Sequence, residues 1–353
     1  MSTAPTDSVA RQTFAPRDLA PEGVEQIVLG RGPHRLGAWR AEPATREPRS
    51  VLVAVHGRAM SPGYFAGPVA PHTSLLALAT ALGHTVLAVE RPGYGLSRAA
   101  LPRGLPLAEQ ARLLRRSLAE YAELHPVGAG FFLLGHSDGG KAALHLAGEP
   151  WSGATAADRL VGLDLNGCGW HYAPAAAHFP DTFGGGAGGL NWGPLRLYPG
   201  GTFRASRALL REVPAVEEEE TGRWPARFPA AAARVRCPVR LTFGAYEGWW
   251  RLDREELAAM AAGFTGTRRP VVERLPEAGH NLSLGQAAPL YHARALTFLE
   301  ECLGRVPRPP EVTYSYARER MRYGPWGPEP AGVMTRTVCT RRSAVRTVRH
   351  QPE

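Results

Sequence analysis

The stretch FFLLGHSDGGKAALHLAG, residues 131–148, decides how the whole chain is read. It runs four apolar residues into a cluster of glycines around one serine, Ser137, and continues at once in a helical pattern. A strand that turns into a helix this abruptly needs small side chains, and that alone would account for Gly135, Gly139 and Gly140. The spacing Gly135-x-Ser137-x-Gly139 supports a sharper reading. A nucleophile held at the apex of a very tight strand–turn–helix needs small residues two before and two after it, because strand and helix pass almost in contact there. The short pattern recurs by chance; the apolar strand before it and the helix after it make it informative.

Working outward, the same alternation repeats. SVLVAVHG (50–57) is a short β-rich apolar run bounded by Pro48 and Gly57, which suits a buried parallel strand. TSLLALATALG reads as a helix stopped at Gly83, and HTVLAVERPGYG as the next strand and a tight turn. Leu107, Ala111, Leu114, Leu118 and Tyr121 recur at helical spacing, with arginines on the other face. RLVGLDLNG, CPVRLTFGAYE and PVVERLPEAGH add strands; DREELAAMAAG and PLYHARALTFLEECL add helices. Upstream, VEQIVLG and HRLGAWRAEP flank RGP as an opening hairpin. Strands alternating with helices predict βαβ units, hence a doubly wound, mostly parallel α/β sheet.

Two regions break the rhythm. From Cys168 to about Ala233 the chain carries GGGAGG, YPGG, several aromatics and the acidic run Glu217–Glu220. A connection of that length is expected to be a functional insertion such as a lid, and the four glutamates are expected to form a solvated helix face. Residues 1–22 read as a loose polar arm, and 304–353 as a basic, Pro/Arg-rich extension without sustained periodicity, expected to be largely disordered.

Composition narrows the function. The net charge is +9, but the last 50 residues hold ten arginines and four glutamates, so +6 of it lies there and the body is nearly neutral. Lys141 is the only lysine. That skew, with abundant Ala, Gly and Pro, argues for base composition of the gene and against phosphate contacts, so no nucleic-acid partner is expected. No apolar run reaches the ~20 residues of a membrane span and no hydrophobic leader opens the chain, which points to a cytoplasmic protein with no membrane partner. Cys168, Cys237, Cys302 and Cys339 are scattered, giving neither a disulfide framework nor a zinc site. The glycine turn fits neither phosphate-binding pattern, so no cofactor is expected.

A serine is a poor nucleophile without a base and an orienting acid. His280, in PEAGHNLSL between the last strand and the last helix, is the best-placed base. Three carboxylates compete as the acid. Glu247 lies just past the VRLTFG strand, Asp164 within the GLDLNG strand, and Asp253 where it also reads as a helix N-cap. Glu247 is preferred. For the oxyanion, one donor is the backbone N–H of Asp138, at the positive end of the new helix. The second is expected from Arg58, with Ala59 as the alternative; the Asp138 side chain reads as a favourable charge on the first helical turn.

HGR (56–58), ERPGYGLS (90–97), GHSDGG (135–140), GAYE (244–247) and AGH (278–280) together resemble the α/β-hydrolase fold family, over roughly residues 23–303. The resemblance implies a central sheet of about eight strands, a cap inserted after the sixth at about 169–233, and a triad of Ser137, Glu247 and His280. It also implies a serine hydrolase of a carboxylic ester or thioester, acting on a small-molecule substrate. Glutamate in place of the family's usual aspartate is a departure. The alternatives are a thioesterase or acyltransferase of natural-product biosynthesis, and a catalytically silent binding protein on the same fold.

Overall fold

A computed structural model describes residues 20–45, 47–177 and 187–306, together with three short strands nearer the C-terminus. The chain divides into two units, Met1–Gly304 and Arg305–Glu353.

The first unit is built on an eight-stranded sheet of order β1-β2-β4-β3-β5-β6-β7-β8. β1 (Val24–Leu29) and β2 (Leu36–Ala41) form the expected antiparallel hairpin, with Leu29 opposite Leu36. β2 is also antiparallel to β4 (Thr85–Val89). From β4 onward, through β3 (Val51–Val55), β5 (Phe131–His136), β6 (Leu160–Asn166), β7 (Val239–Gly244) and β8 (Val271–Leu275), all neighbours are parallel. β3, β4, β5 and β7 are buried along their whole length, which is why β3 to β5 read as near-continuous apolar runs, while β7 also buries Arg240 and Thr242. The edge strand β8 is exposed at Val271 and buried only at Leu275.

Helices α1 (Leu75–Ala81), α2 (Leu107–Ala122), α3 (Asp138–Ala147) and α8 (Arg254–Ala262) connect the strands, and α9 (Ala288–Leu303) follows β8. α2 buries Leu107, Ala111, Leu114, Leu118 and Tyr121, the face that its spacing predicts. α3 is buried at every residue, which explains its run of glycine and alanine. The chain steps from β3 to β4 on one side and returns to β5 on the other. That reversal opens a crevice at the carboxyl ends of β3 and β5, where a doubly wound sheet places its ligand site.

Between β6 and β7 the chain forms α4 (Pro174–Ala177), α5 (Ala187–Trp192), α6 (Thr202–Leu209) and α7 (Ala215–Ala233). The acidic run corrects the expectation of a wholly solvated face. Glu217 and Glu220 are buried with Trp224 and Phe228, while Glu218 and Glu219 are exposed. Residues 217, 220, 224 and 228 share one helical face, so the aromatics that seat α7 carry these two carboxylates inward with them.

In the second unit, β9 (Val312–Ser315), β10 (Thr335–Val338) and β11 (Thr347–Arg349) form a three-stranded antiparallel sheet of order β11-β10-β9. The rest of the basic extension, and the N-terminal arm through residue 19, lie outside the described residues.

Candidate active site

Ser137 sits between β5 and α3 with φ 52° and ψ −121°, a left-handed backbone value that a non-glycine residue adopts only under constraint. The glycines around it are there for contact. A side-chain carbon at Gly139 would lie 2.2 Å from the His56 carbonyl oxygen, and one at Gly135 would lie 2.7 Å from the Gly140 Cα. No larger residue fits either place, so the turn can close only with this spacing. Half-exposed at the apex, Ser137 presents its hydroxyl at the carboxyl edge of the sheet.

His280 and Glu247 meet it there. The Ser137 hydroxyl lies 3.0 Å from His280 Nε2, and His280 Nδ1–H donates to Glu247 Oε2 at 2.8 Å. The other carboxylate oxygen of Glu247 accepts the backbone N–H of Trp249 at 2.9 Å, which fixes the carboxylate's orientation. Both side chains are almost wholly withdrawn from solvent. The loops that carry them touch because Gly244 has no side chain: a carbon there would stand 2.3 Å from the Ala278 carbonyl oxygen. The cap braces the same loops, with Asn281 Nδ2 donating to the Asn191 carbonyl at 2.9 Å and Trp249 Nε1 to Asn191 Oδ1 at 3.0 Å.

The competing carboxylates are engaged elsewhere. Asp164 is buried against Arg240, at 2.6 Å, and accepts the Tyr291 hydroxyl at 2.9 Å. Asp253 caps α8, accepting the Glu256 N–H at 2.9 Å. Neither contacts His280.

On the opposite side of Ser137 lies the loop after β3. A side-chain carbon at Gly57 would come within 3.2 Å of Ser137 Cβ, so this backbone rests against Ser137. The first N–H groups of α3, that of Asp138 included, point from a helix N-terminus with no acceptor inside the helix. Ala59 has φ 58°, and its N–H donates to the Tyr94 hydroxyl at 3.2 Å, so this alternative oxyanion donor is already used. The Arg58 guanidinium reaches the Asp138 carboxylate at 2.7 Å, the Glu217 carbonyl at 2.6 Å and the Thr221 hydroxyl.

Asp138 is more than a charge on a helix turn. It pairs with Lys141 at 2.6 Å as well as with Arg58. Burial alone would raise its carboxyl, but Lys141, Arg58 and Arg91 outweigh that and hold it well below the usual carboxylate range. Burial would likewise lower Lys141; Asp138 and the Tyr172 hydroxyl, at 2.9 Å, keep it charged. Arg91, fully buried, pairs with Glu217 at 2.6 Å.

Sequence reasoning missed this buried ion cluster. Arg91 and Tyr94 lie within ERPGYG, but Glu217 is more than a hundred residues away. The signal available was the helical phase of Trp224 and Phe228. It also missed His136, whose Nδ1–H donates to Asn166 Oδ1 at 2.8 Å and which stacks on Tyr64 at 4.6 Å. Burial, and the nearby His280, hold the His136 ring down to about 3. Among the described residues no group of three or more His, Cys, Asp or Glu side chains is arranged to hold a metal ion.

A strained serine at the end of β5 is thus hydrogen-bonded to a histidine that a buried carboxylate orients. Residues 52–295 match the model of the alpha/beta hydrolase family, and the chain belongs to that family. No curated protein matches it by sequence. Among solved structures it is similar to a peroxisomal α/β-hydrolase of Saccharomyces cerevisiae, with 15% identity, 81% of this chain and 90% of that one covered, and a TM-score of 0.55. It is also similar to a thermophilic esterase from Thermogutta terrifontis (20% identity, 79% and 98% covered, TM-score 0.51). A proline iminopeptidase from Mycobacterium smegmatis is comparably similar (16% identity, 79% and 99% covered, TM-score 0.52). At these identities the likeness is one of fold.

Proposed function

We propose that the protein is a serine hydrolase that cleaves a carboxylic ester or thioester of a small molecule through an acyl-enzyme on Ser137. The observation that carries this reading is the continuous chain from the Ser137 hydroxyl, 3.0 Å from His280 Nε2, to His280 Nδ1–H, 2.8 Å from Glu247. As Ser137 Oγ attacks the carbonyl carbon, His280 Nε2 takes its proton and Glu247 stabilises the imidazolium that forms. The tetrahedral oxyanion is met by backbone N–H groups, those of Asp138 and of Arg58 in the loop after β3. Collapse expels the alcohol or thiol, which takes the proton from His280. Water, activated by the same imidazole, then attacks the acyl carbonyl and frees the acid and Ser137.

A silent binding protein would have no use for a strained serine, nor for a histidine held between it and a buried acid. The similar structures include an esterase and an iminopeptidase, so they support acyl transfer to water without choosing the leaving group. Among the described residues no helix is long and apolar enough to cross a membrane. We place the protein in the cytoplasm on the sequence reading.

The test is a panel of p-nitrophenyl esters and acyl thioesters of graded chain length, run on wild type and Ser137→Ala in parallel. Turnover of at least one class by the wild type, absent in the variant, is expected. Equal rates in both would overturn the assignment.

A further inference from the structure

Ala59 holds a left-handed backbone at φ 58°, a conformation unfavourable for an alanine that persists only where neighbours enforce it. It lies in the loop whose Gly57 touches Ser137, so whatever enforces it also sets where the donors of that loop point. The Ala59 carbonyl accepts the backbone N–H of Arg211 at 2.8 Å, while the contacts on its N–H and on the preceding residue trace to one residue of the cap helix.

Glu217 on α7 sits at their centre. Its Oε2 accepts the Tyr94 hydroxyl at 2.8 Å and the Arg91 guanidinium at 3.0 Å, and its Oε1 lies 2.6 Å from Arg91 Nη1. Because the phenolic O–H donates to the carboxylate, both lone pairs of the Tyr94 oxygen are left to accept. They are filled by the Ala59 N–H at 3.2 Å and by Arg91 Nη2 at 3.1 Å. The backbone carbonyl of Glu217 accepts from Arg58, which also reaches Asp138, next to Ser137, and the hydroxyl of Thr221, one turn along α7. The two consecutive residues Arg58 and Ala59 are thus each tied, from opposite sides of the chain, to the same residue of the cap. Arg91, Tyr94 and Glu217 are all buried, where such charge-assisted bonds are strongest and least exchangeable with water.

We propose that Glu217 is a positioning residue for the oxyanion loop, acting on Ala59 through Tyr94 and on Arg58 through its own carbonyl. The cap therefore has a part in the chemistry beyond covering the substrate. The inference rests on the hydrolase reading above, and the oxyanion is the charge it serves.

The decisive variant is Tyr94→Phe, which removes the hydroxyl and keeps the ring that packs edge-on against His56 at 5.0 Å between centroids. With a short-chain p-nitrophenyl ester, kcat should fall by about tenfold or more with KM within twofold, since loss of a whole oxyanion donor costs about 10²–10³. Affinity for a trifluoromethyl ketone, whose adduct on Ser137 places an oxyanion in the same spot, should fall by a matching factor. Glu217→Gln should move both quantities in the same direction and further. Thr221→Val should give a smaller loss that Thr221→Ser recovers. A merely structural role would lower the melting temperature and leave kcat and ketone affinity of the folded enzyme alone. Wild-type kcat and ketone affinity in folded Tyr94→Phe, or a loss carried wholly in KM, would overturn the proposal even if Glu217→Gln does not fold. A wild type that neither hydrolyses the panel nor is labelled by a fluorophosphonate would overturn the hydrolase reading itself, and this inference with it.

Discussion

The two flanks of Ser137 are held by different physics. Toward His280 and Glu247 the holding is steric and short-ranged. Gly244 lets one loop lie on another, Gly167 at φ 56° brings the chain to 3.1 Å of the His280 ring for any added carbon, and Trp250 Nε1 ties the Gly167 carbonyl at 2.7 Å. Toward the loop after β3 the holding is ionic and long-ranged. Arg58, Arg91 and Lys141 face Asp138 and Glu217 with little solvent between them, and the glutamate arrives from the cap. Close backbone packing tolerates no added atom but is indifferent to charge. A buried ion cluster tolerates small shape changes but not the loss of a partner, which leaves an uncompensated charge at a cost of about 3–5 kcal/mol. The cap therefore meets the His280 and Glu247 loops through the neutral hydrogen bonds of Asn191, and the loop after β3 through the buried charge of Glu217.

The largest effect should come from the nucleophile that both flanks serve. Ser137→Ala should abolish fluorophosphonate labelling and lower ester turnover by about 10⁴-fold or more. Labelling of the variant at the wild-type rate would remove Ser137 from the mechanism.

Next comes the sheet-side flank. Glu247→Gln keeps the shape, removes the charge and permits the wrong imidazole tautomer, so kcat should fall by at least about a hundredfold. Asp253→Asn should leave kcat near wild type, because that side chain caps α8 and pairs with Arg251 at 3.3 Å, away from His280. Asp164→Asn removes the fully buried carboxylate shared by Arg240 and Tyr291 and leaves Arg240 only Glu273, so it should lower the melting temperature more than the kcat of the molecules that remain folded. If Asp164→Asn is the variant that loses turnover and Glu247→Gln works normally, the acid has been misplaced.

Protons test both flanks together. Burial, reinforced by Arg91, holds His56 on the loop side down to about 3, and burial holds His136 at the elbow to about 3 and His145 and His292 to about 4. An unfolded histidine titrates near 6.5, so below that pH the unfolded chain binds protons that the native chain refuses, and stability falls as pH falls. Each such ring contributes a slope of up to about 1.4 kcal/mol per pH unit between those limits. The Asp138 carboxyl, held low, adds stability that is full above the ordinary carboxylate range and is lost progressively as pH falls from there toward its depressed native value. Urea midpoints measured from pH 7 to pH 4 should decline progressively; a flat series would show that these rings titrate as free ones do.

The smallest effect should follow removal of residues after Gly304. The second unit begins at Arg305, and α9 closes the first at Leu303, beyond every residue placed at the site. Turnover of short esters should stay within about twofold of wild type, on the usual scale for changes far from the reacting groups. Loss of soluble protein or of turnover would make the extension part of the enzyme.

Read along the chain, the residues determined the alternation of strands and helices, the elbow at Ser137 and the names of its two partners. Each of these is a local signal: an apolar run of strand length, a glycine where two backbones must touch, a histidine or carboxylate just past a strand. Asp253 was legible as a cap for the same reason. Only the tertiary structure decided that Asp164 belongs to Arg240, that the Ala59 N–H is taken by Tyr94, and that Glu217 and Glu220 turn inward while their neighbours face water. A run of four glutamates looks alike to composition, and its inward pair is selected by the phase at which Trp224 and Phe228 seat α7 on the core. Which arginine then receives Glu217 depends on where β4 ends in space, more than a hundred residues earlier. Charge pairing in the interior is set by that juxtaposition, because the energy of a buried pair depends on distances that no stretch of sequence contains.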